Sequence, residues 1–204
     1  MPIMKRSIPI LSAAVLVLAL SGCGDKTKAD ADAAANQAEQ ALDSAGAMAS
    51  NVALDAQQAL SPTPAGQEFI DRLAKSDAYE IAAAKLAVTN ASSQAVKDFA
   101  AEMIKAHTDS AAKVKAAAAM ATPALTPNAA MTADQQDDLA DLGKKKGAEF
   151  DKDYVDDQVD AHEDAVVLLR DYSAKGDTPA LRTVAGDLLP VVQGHLDHAR
   201  RLDQ

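Results

Sequence analysis

Glu80, His107, His162 and His195 are the residues of this 204-residue chain whose types and spacing could do chemistry. Each falls on the apolar stripe of its own amphipathic segment. The steps 73, 77, 80, 84, 87 include Glu80, and the steps 99, 103, 107, 110, 114 include His107. In the same way 155, 159, 162, 166, 169 include His162, while 184, 188, 191, 195 include His195, with His198 close behind. Up to three imidazoles and a carboxylate facing one point would suit a single zinc, copper or iron(II) ion, because borderline nitrogen and oxygen donors match those metals. The competing reading is a core that tolerates polar groups. Neutral histidines can hydrogen-bond a carboxylate or a backbone carbonyl and fix helix register without metal.

Either reading needs four helices that face one another. From residue 65 the apolar pattern has a period of 3.6. The first helix carries Phe69, Leu73, Ile81, Ala84 and Val88 on one face and ends at "TNASS". Ser92 or Ser93 caps the second, whose face reads Val96, Phe99, Met103, Ser110, Val114 and Ala117. Pro123 and Pro127 break the chain, and Thr132 with Gln135 fits a capping box opening a short helix to about Leu142. The next long helix runs from about Glu149 to Ser173 with Val155, Val159, Val166 and Leu169 inside. Asp151, near its start, reads as a stabiliser of the helix N-terminus. "KGDTP" then separates it from a last helix, with Asp177 or Thr178 as cap and Pro179 in the first turn. That helix shows Leu181, Val184, Leu188, Val191 and Leu196, and Pro190 should bend it. No segment alternates with period two. The expected fold is all-α: an antiparallel four-helix bundle of two hairpins spanning residues 65–204.

Axial level follows from the turns. With the first turn centred near residues 91–92, Glu80 and His107 stand one helical turn apart, ~6 Å in height. His162 and His195 have the same offset about a turn at 176–177. Whether the two hairpins meet at one level is not written in this pattern.

The chain ahead of the bundle addresses a compartment. Lys5 and Arg6 precede the uncharged apolar run "SIPILSAAVLVLALSG", so residues 1–22 read as an export signal and not as fold. "LSGC", Leu20 to Cys23, resembles the lipobox of bacterial lipoproteins. That resemblance implies diacylglycerol on the Cys23 sulfur, cleavage before Cys23 and acylation of the new terminus. Several acyl chains anchor far better than one, at ~0.8 kcal/mol per buried methylene. Gly24 after the cysteine favours the outer membrane by the same resemblance, with the bundle facing the periplasm. Residues 23–64 are rich in Ala, Asp, Gln, Asn and Ser, a composition that suits a flexible or weakly helical tether.

Charge and cysteine count narrow the partners. Net charge is −10, and loss of Lys5 and Arg6 with the signal makes it −12. Such a chain is a poor match for nucleic acid, which needs clustered Lys and Arg. The one basic run, Lys144 to Lys146, reads as a solvated turn. Cys23 is the only cysteine, so no intramolecular disulfide can form. No nucleophile–base arrangement stands out and no glycine-rich phosphate loop is present, so the sequence gives only weak support to a hydrolase or a nucleotide-dependent enzyme.

"YEIAAAKLA", "VKDFAAEMIKAHT", "GAEFDKDYVDDQVDAHEDAVVLL" and "LLPVVQGHLDHARRL" together resemble the family called domain of unknown function 4142. The resemblance implies a ferritin-like bundle in the cell envelope and carries no settled activity. Against the ferritin-like di-iron pattern, a lone Glu on two helices and Glu-x-x-His on two others, the match is half complete. Glu80 fits one lone position, and His107 and His195 fit the two histidines. Ile104 and Val192 stand where the paired glutamates belong, and His162 takes the second lone position. A bridged di-iron centre is therefore not expected. Two functional classes stay open. One is a non-enzymatic, lipid-anchored interaction or stress-related module, which the incomplete motif favours. The other is a metal-binding or redox protein with a mononuclear His/Glu site in the bundle core.

Overall fold

Alanine-rich segments with apolar residues at helical spacing fold here as helices throughout. The computed structural model describes residues 63–204, and the expected export signal, Cys23 and nearly all of the expected tether lie outside these described residues. Five helices and no strand occur among the described residues: α1 (Gly66–Asn90), α2 (Gln94–Ala119), α3 (Ala133–Lys144), α4 (Gly147–Lys175) and α5 (Pro179–Leu202). The fold is a helical bundle. α1 packs along α2 and α4 along α5, and the two hairpins meet through α2 against α5 and α1 against α4, with the short α3 laid on α1.

The helix ends follow local chemistry. Ser93 is the N-cap of α2 and accepts from the Val96 amide, so the second of the two candidate serines is the one used. Thr132 and Gln135 form the expected capping box on α3. α4 starts two residues earlier than expected and runs two further, because Gly147 takes φ 64° and turns the chain directly out of α3. Thr178 occupies the N-cap of α5 without a side-chain capping bond. Asp177 instead ties the end of the bundle together, accepting from the Tyr172 hydroxyl at 2.8 Å and the Gly66 amide at 3.3 Å. Gly176 is needed there because a Cβ would collide with the Tyr172 ring.

Asp151 does stabilise a helix N-terminus, but that of α2. It accepts from the amides of Ser92 and Ser93, each at 2.9 Å, and from the Ser92 hydroxyl. The basic run is a turn, though a paired one. Lys144 bonds Asp141, Lys145 pairs with Asp153, and Lys146 reaches Asn90.

Several stripe residues sit differently from the pattern. Val88 is 45% exposed and Val191 42%, while Ile81 and Val159 are half-buried. On α1 the contact is made by Ala83, Ala84 and Ala87, small side chains that turn Val88 outward. On α5 the inner position between Leu188 and His195 falls to the half-buried Val192. α5 runs as one helix through Pro190.

The core is divided along the bundle axis. One apolar cluster holds Phe99, Met103, Phe150, Tyr154 and the alanines of α1. The other holds Phe69, Leu73, Val114, Leu169, Tyr172 and Leu188, with Phe69 and Tyr172 stacked at 3.8 Å. Every long helix passes from one cluster to the other through a buried polar residue: Asp77 and Glu80, His107, Gln158 and His162, and His195. A polar layer thus lies between two dry ones.

Candidate metal centre

The polar layer brings the three inner histidines together. His107 on α2, His162 on α4 and His195 on α5 have ring centroids 5.5 to 6.1 Å apart, and each offers a ligand atom within 4.8 Å of the other two. All three residues are buried. The two hairpins therefore meet at a common level, the point that the pattern alone left open.

The outer sides of two rings are fixed. His107 Nδ1 donates to Asp77 Oδ1 at 2.8 Å, and His162 Nδ1 donates to the Gln158 carbonyl at 2.8 Å. Those bonds set the tautomer and turn the Nε2 atoms inward, the arrangement that orients imidazoles toward an ion. His107 Nε2, His162 Nε2 and His195 Nδ1 are buried and have no hydrogen-bond partner among the described residues. A buried polar atom left unpaired costs ~1–3 kcal/mol. Three such nitrogens in one place are a cost that a bound cation would offset.

Electrostatics separate the three rings. Burial, followed by the neighbouring His107 charge, pushes His162 down to about 3 and His195 down to about 4. Burial also acts downward on His107. There the Asp77 hydrogen bond and the charges of Glu80 and Asp77 outweigh it, and the net shift is upward. Two ligand candidates are thus neutral lone-pair donors at physiological pH, and the third is held beside carboxylates.

Glu80 is buried in the same layer but stands outside the group of converging ligand atoms. It accepts from Gln158 Nε2, and its Oε1 has no partner. Burial raises its carboxyl above the usual range, although His107 and Gln158 pull the other way. His198 is half-exposed, as a helix-end histidine should be, and donates from Nδ1 to Glu102 at 3.2 Å with its ring edge-on to Phe99.

Asp77 and Gln158 were not picked out from the sequence. Asp77 is on the same α1 stripe as Glu80, one turn earlier, and Gln158 precedes His162 by four residues on α4. An acid pair at i, i+3 and a Gln-x-x-x-His pair on inner stripes are signals that a search for apolar periodicity passes over.

Comparison with known proteins adds family and fold. No curated protein matches the chain. Two solved structures are similar in fold. "CopM in the Cu(II)-bound form" aligns with TM-score 0.59 at 16% identity, covering 70% of this chain and 98% of that one. "CopM in the Cu(I)-bound form" gives 0.56 at 15%, covering 68% and 94%. Residues 49–202, more than half of the chain, match the family described as Domain of unknown function (DUF4142), and the protein belongs to that family.

Proposed function

We propose that this protein binds a single transition-metal ion, copper in the first instance, through His107, His162 and His195. The observation that carries the reading is that three buried histidines each bring a ring nitrogen within 4.8 Å of the other two, and each has a buried ring nitrogen without a hydrogen-bond partner. A core built only for hydrogen bonding would satisfy those atoms. Ligand atoms around one ion at ~2.0–2.1 Å stand roughly 3.3–3.5 Å apart, so small side-chain rotations would complete the site. Three imidazole nitrogens without a thiolate suit copper, zinc and iron(II), and at such a nitrogen site copper(II) outranks zinc in intrinsic affinity. The fold likeness to a protein described in copper-bound forms supports trying copper first. Glu80 balances charge beside the ligands in this reading, and the fold is proposed to be of the ferritin-like kind with the di-iron carboxylates lost.

The same proposal places the protein in the cell envelope, acylated at Cys23 and facing the periplasm from the outer membrane. Mass spectrometry of the mature terminus tests this part; an intact Met1 terminus in the envelope fraction would overturn it.

The metal reading is tested on untagged protein by competition with a chromophoric copper chelator. One tightly held ion per chain is expected, and His162→Ala should lose at least a hundredfold in affinity at that site. Equal affinity of wild type and variant would sink it.

A further inference from the structure

We infer that Glu102 and His198, together with the outward edge of His195, form an outer station through which the ion reaches the buried histidines. The inference rests on the metal reading above and adds a second, surface-facing site to it. His195 is the one member of the triad with a nitrogen on each side. Its Nδ1 is buried without a partner, while its Nε2 faces Glu102 Oε1 at 4.0 Å. That distance is too long for a hydrogen bond. It is close to the roughly 3.3–3.5 Å that two ligand atoms of one ion adopt. The other oxygen of Glu102 takes His198 Nδ1 at 3.2 Å. One carboxylate therefore addresses two imidazoles, one buried and one half-exposed, with each of its oxygens.

The three residues grade from solvent to core. The Glu102 side chain is 50% exposed, that of His198 35% and that of His195 8%. His107 and His162 have no such outlet, since their second nitrogens are held by Asp77 and by the Gln158 carbonyl. An ion captured outside would replace the Nδ1 proton of His198, which leaves to solvent, and bind one Glu102 oxygen. A half-turn of the His195 ring about its soft terminal torsion then exchanges its two nitrogens between station and core. The occupant is a soft or borderline divalent or monovalent cation, since a lone carboxylate with imidazoles suits transition metals better than calcium or magnesium.

The test follows Cu(II) loading of the folded chain by stopped-flow absorbance, with dissociation measured against excess chelator. A port lowers the barrier in both directions, so Glu102→Gln should slow loading and release together, each at least tenfold. His198→Gln should act in the same sense. Glu149→Gln removes an exposed charge thirteen residues before His162, ~20 Å along α4 from that ring, and controls for net charge. In His162→Ala, whose inner triad is broken, a fast, weak Cu(II) phase should persist and disappear when Glu102→Gln is added. Wild-type loading and release rates in Glu102→Gln would overturn the station. Persistence of the weak phase in the double variant would do so too. If wild type shows only the weak, Glu102-dependent phase, the inner site fails and the station stands. If no Cu(II) binds at all, both fail.

Discussion

Asp77 and His107, thirty residues apart, meet across the first helical hairpin with Oδ1 and Nδ1 separated by 2.8 Å in the buried layer. The contact does two things at once. It gives the ring a fixed orientation with Nε2 inward, and it supplies negative charge next to a position where a cation would add positive charge.

Asp77→Asn should therefore weaken copper binding without removing any ligand. The amide oxygen can still accept from Nδ1, so the ring stays oriented, but the charge is gone. Partners of this kind typically contribute 10–100-fold to metal affinity. Chelator competition should show a loss of about that size, smaller than the loss in His162→Ala. Wild-type affinity in Asp77→Asn would mean that the pair serves folding alone.

The pH dependence of the metal-free protein should carry the mark of His162 and His195. Burial takes them down to about 3 and about 4 in the fold, whereas an unfolded histidine titrates near ~6.5. The unfolded chain thus binds protons first. Their contribution is fully present above pH ~6.5 and is lost as pH falls, by about 1.4 kcal/mol per unit and per group. His107 and Glu80 are raised and have the opposite sign: their contribution is present at low pH and is lost as pH rises through their folded values. Urea midpoints of chelator-treated protein should fall more steeply between pH 6.5 and 4 in wild type than in His162→Leu. Parallel curves would contradict the buried neutral state of His162.

The sequence was most informative where one residue type answers one physical demand. Helix order, the Ser93 cap and the Thr132–Gln135 box follow from local rules and are present. The four polar stripe positions are all buried, because 3.6 periodicity fixes which face each belongs to. It was least informative where two adjacent apolar residues compete for one stripe. Val88 lost to Ala87 and Val191 to Val192, since the choice depends on how closely the neighbouring helix approaches. Asp77 and Gln158 were missed for a related reason. Their burial makes sense only beside a histidine on another helix or a ring four residues on. The partners of Asp151, Ser92 and Ser93, lie in the turn that opens α2, 59 and 58 residues away, a distance no local rule spans.

Glu80→Gln separates a charge-balancing role from a ligand role. Burial raises the carboxyl above its usual range, so the fold disfavours its ionised form. The amide is isosteric and keeps the acceptor for Gln158 Nε2. Metal-free Glu80→Gln should be more stable than wild type wherever wild-type Glu80 is ionised, and the difference should shrink as pH falls and the wild-type carboxyl takes up its proton. Copper affinity should change less than tenfold. A hundredfold loss would instead make Glu80 a ligand and the site His3Glu.

Asp151 supports the bundle end away from the metal layer, and its removal should cost stability while leaving the site alone. Its two carboxylate oxygens satisfy the amides of Ser92 and Ser93, groups at the start of α2 that have no helical partner of their own. A carboxylate at a helix N-terminus also faces the positive end of the helix dipole. Loss of a capping side chain costs ~0.5–2 kcal/mol, and hydrogen bonds to a charged group sit toward the upper end. Asp151→Ala should therefore lose about 1–2 kcal/mol in urea unfolding, and Asp151→Asn, which keeps one acceptor, about half as much. Eleven residues separate Asp151 from His162, ~16 Å along α4, so copper affinity should stay at the wild-type value in both. A stability loss under ~0.3 kcal/mol in Asp151→Ala would show that Ser93 and solvent suffice to cap α2. A change in copper affinity would instead show that the α1–α2 turn sets the height at which His107 meets the other two rings.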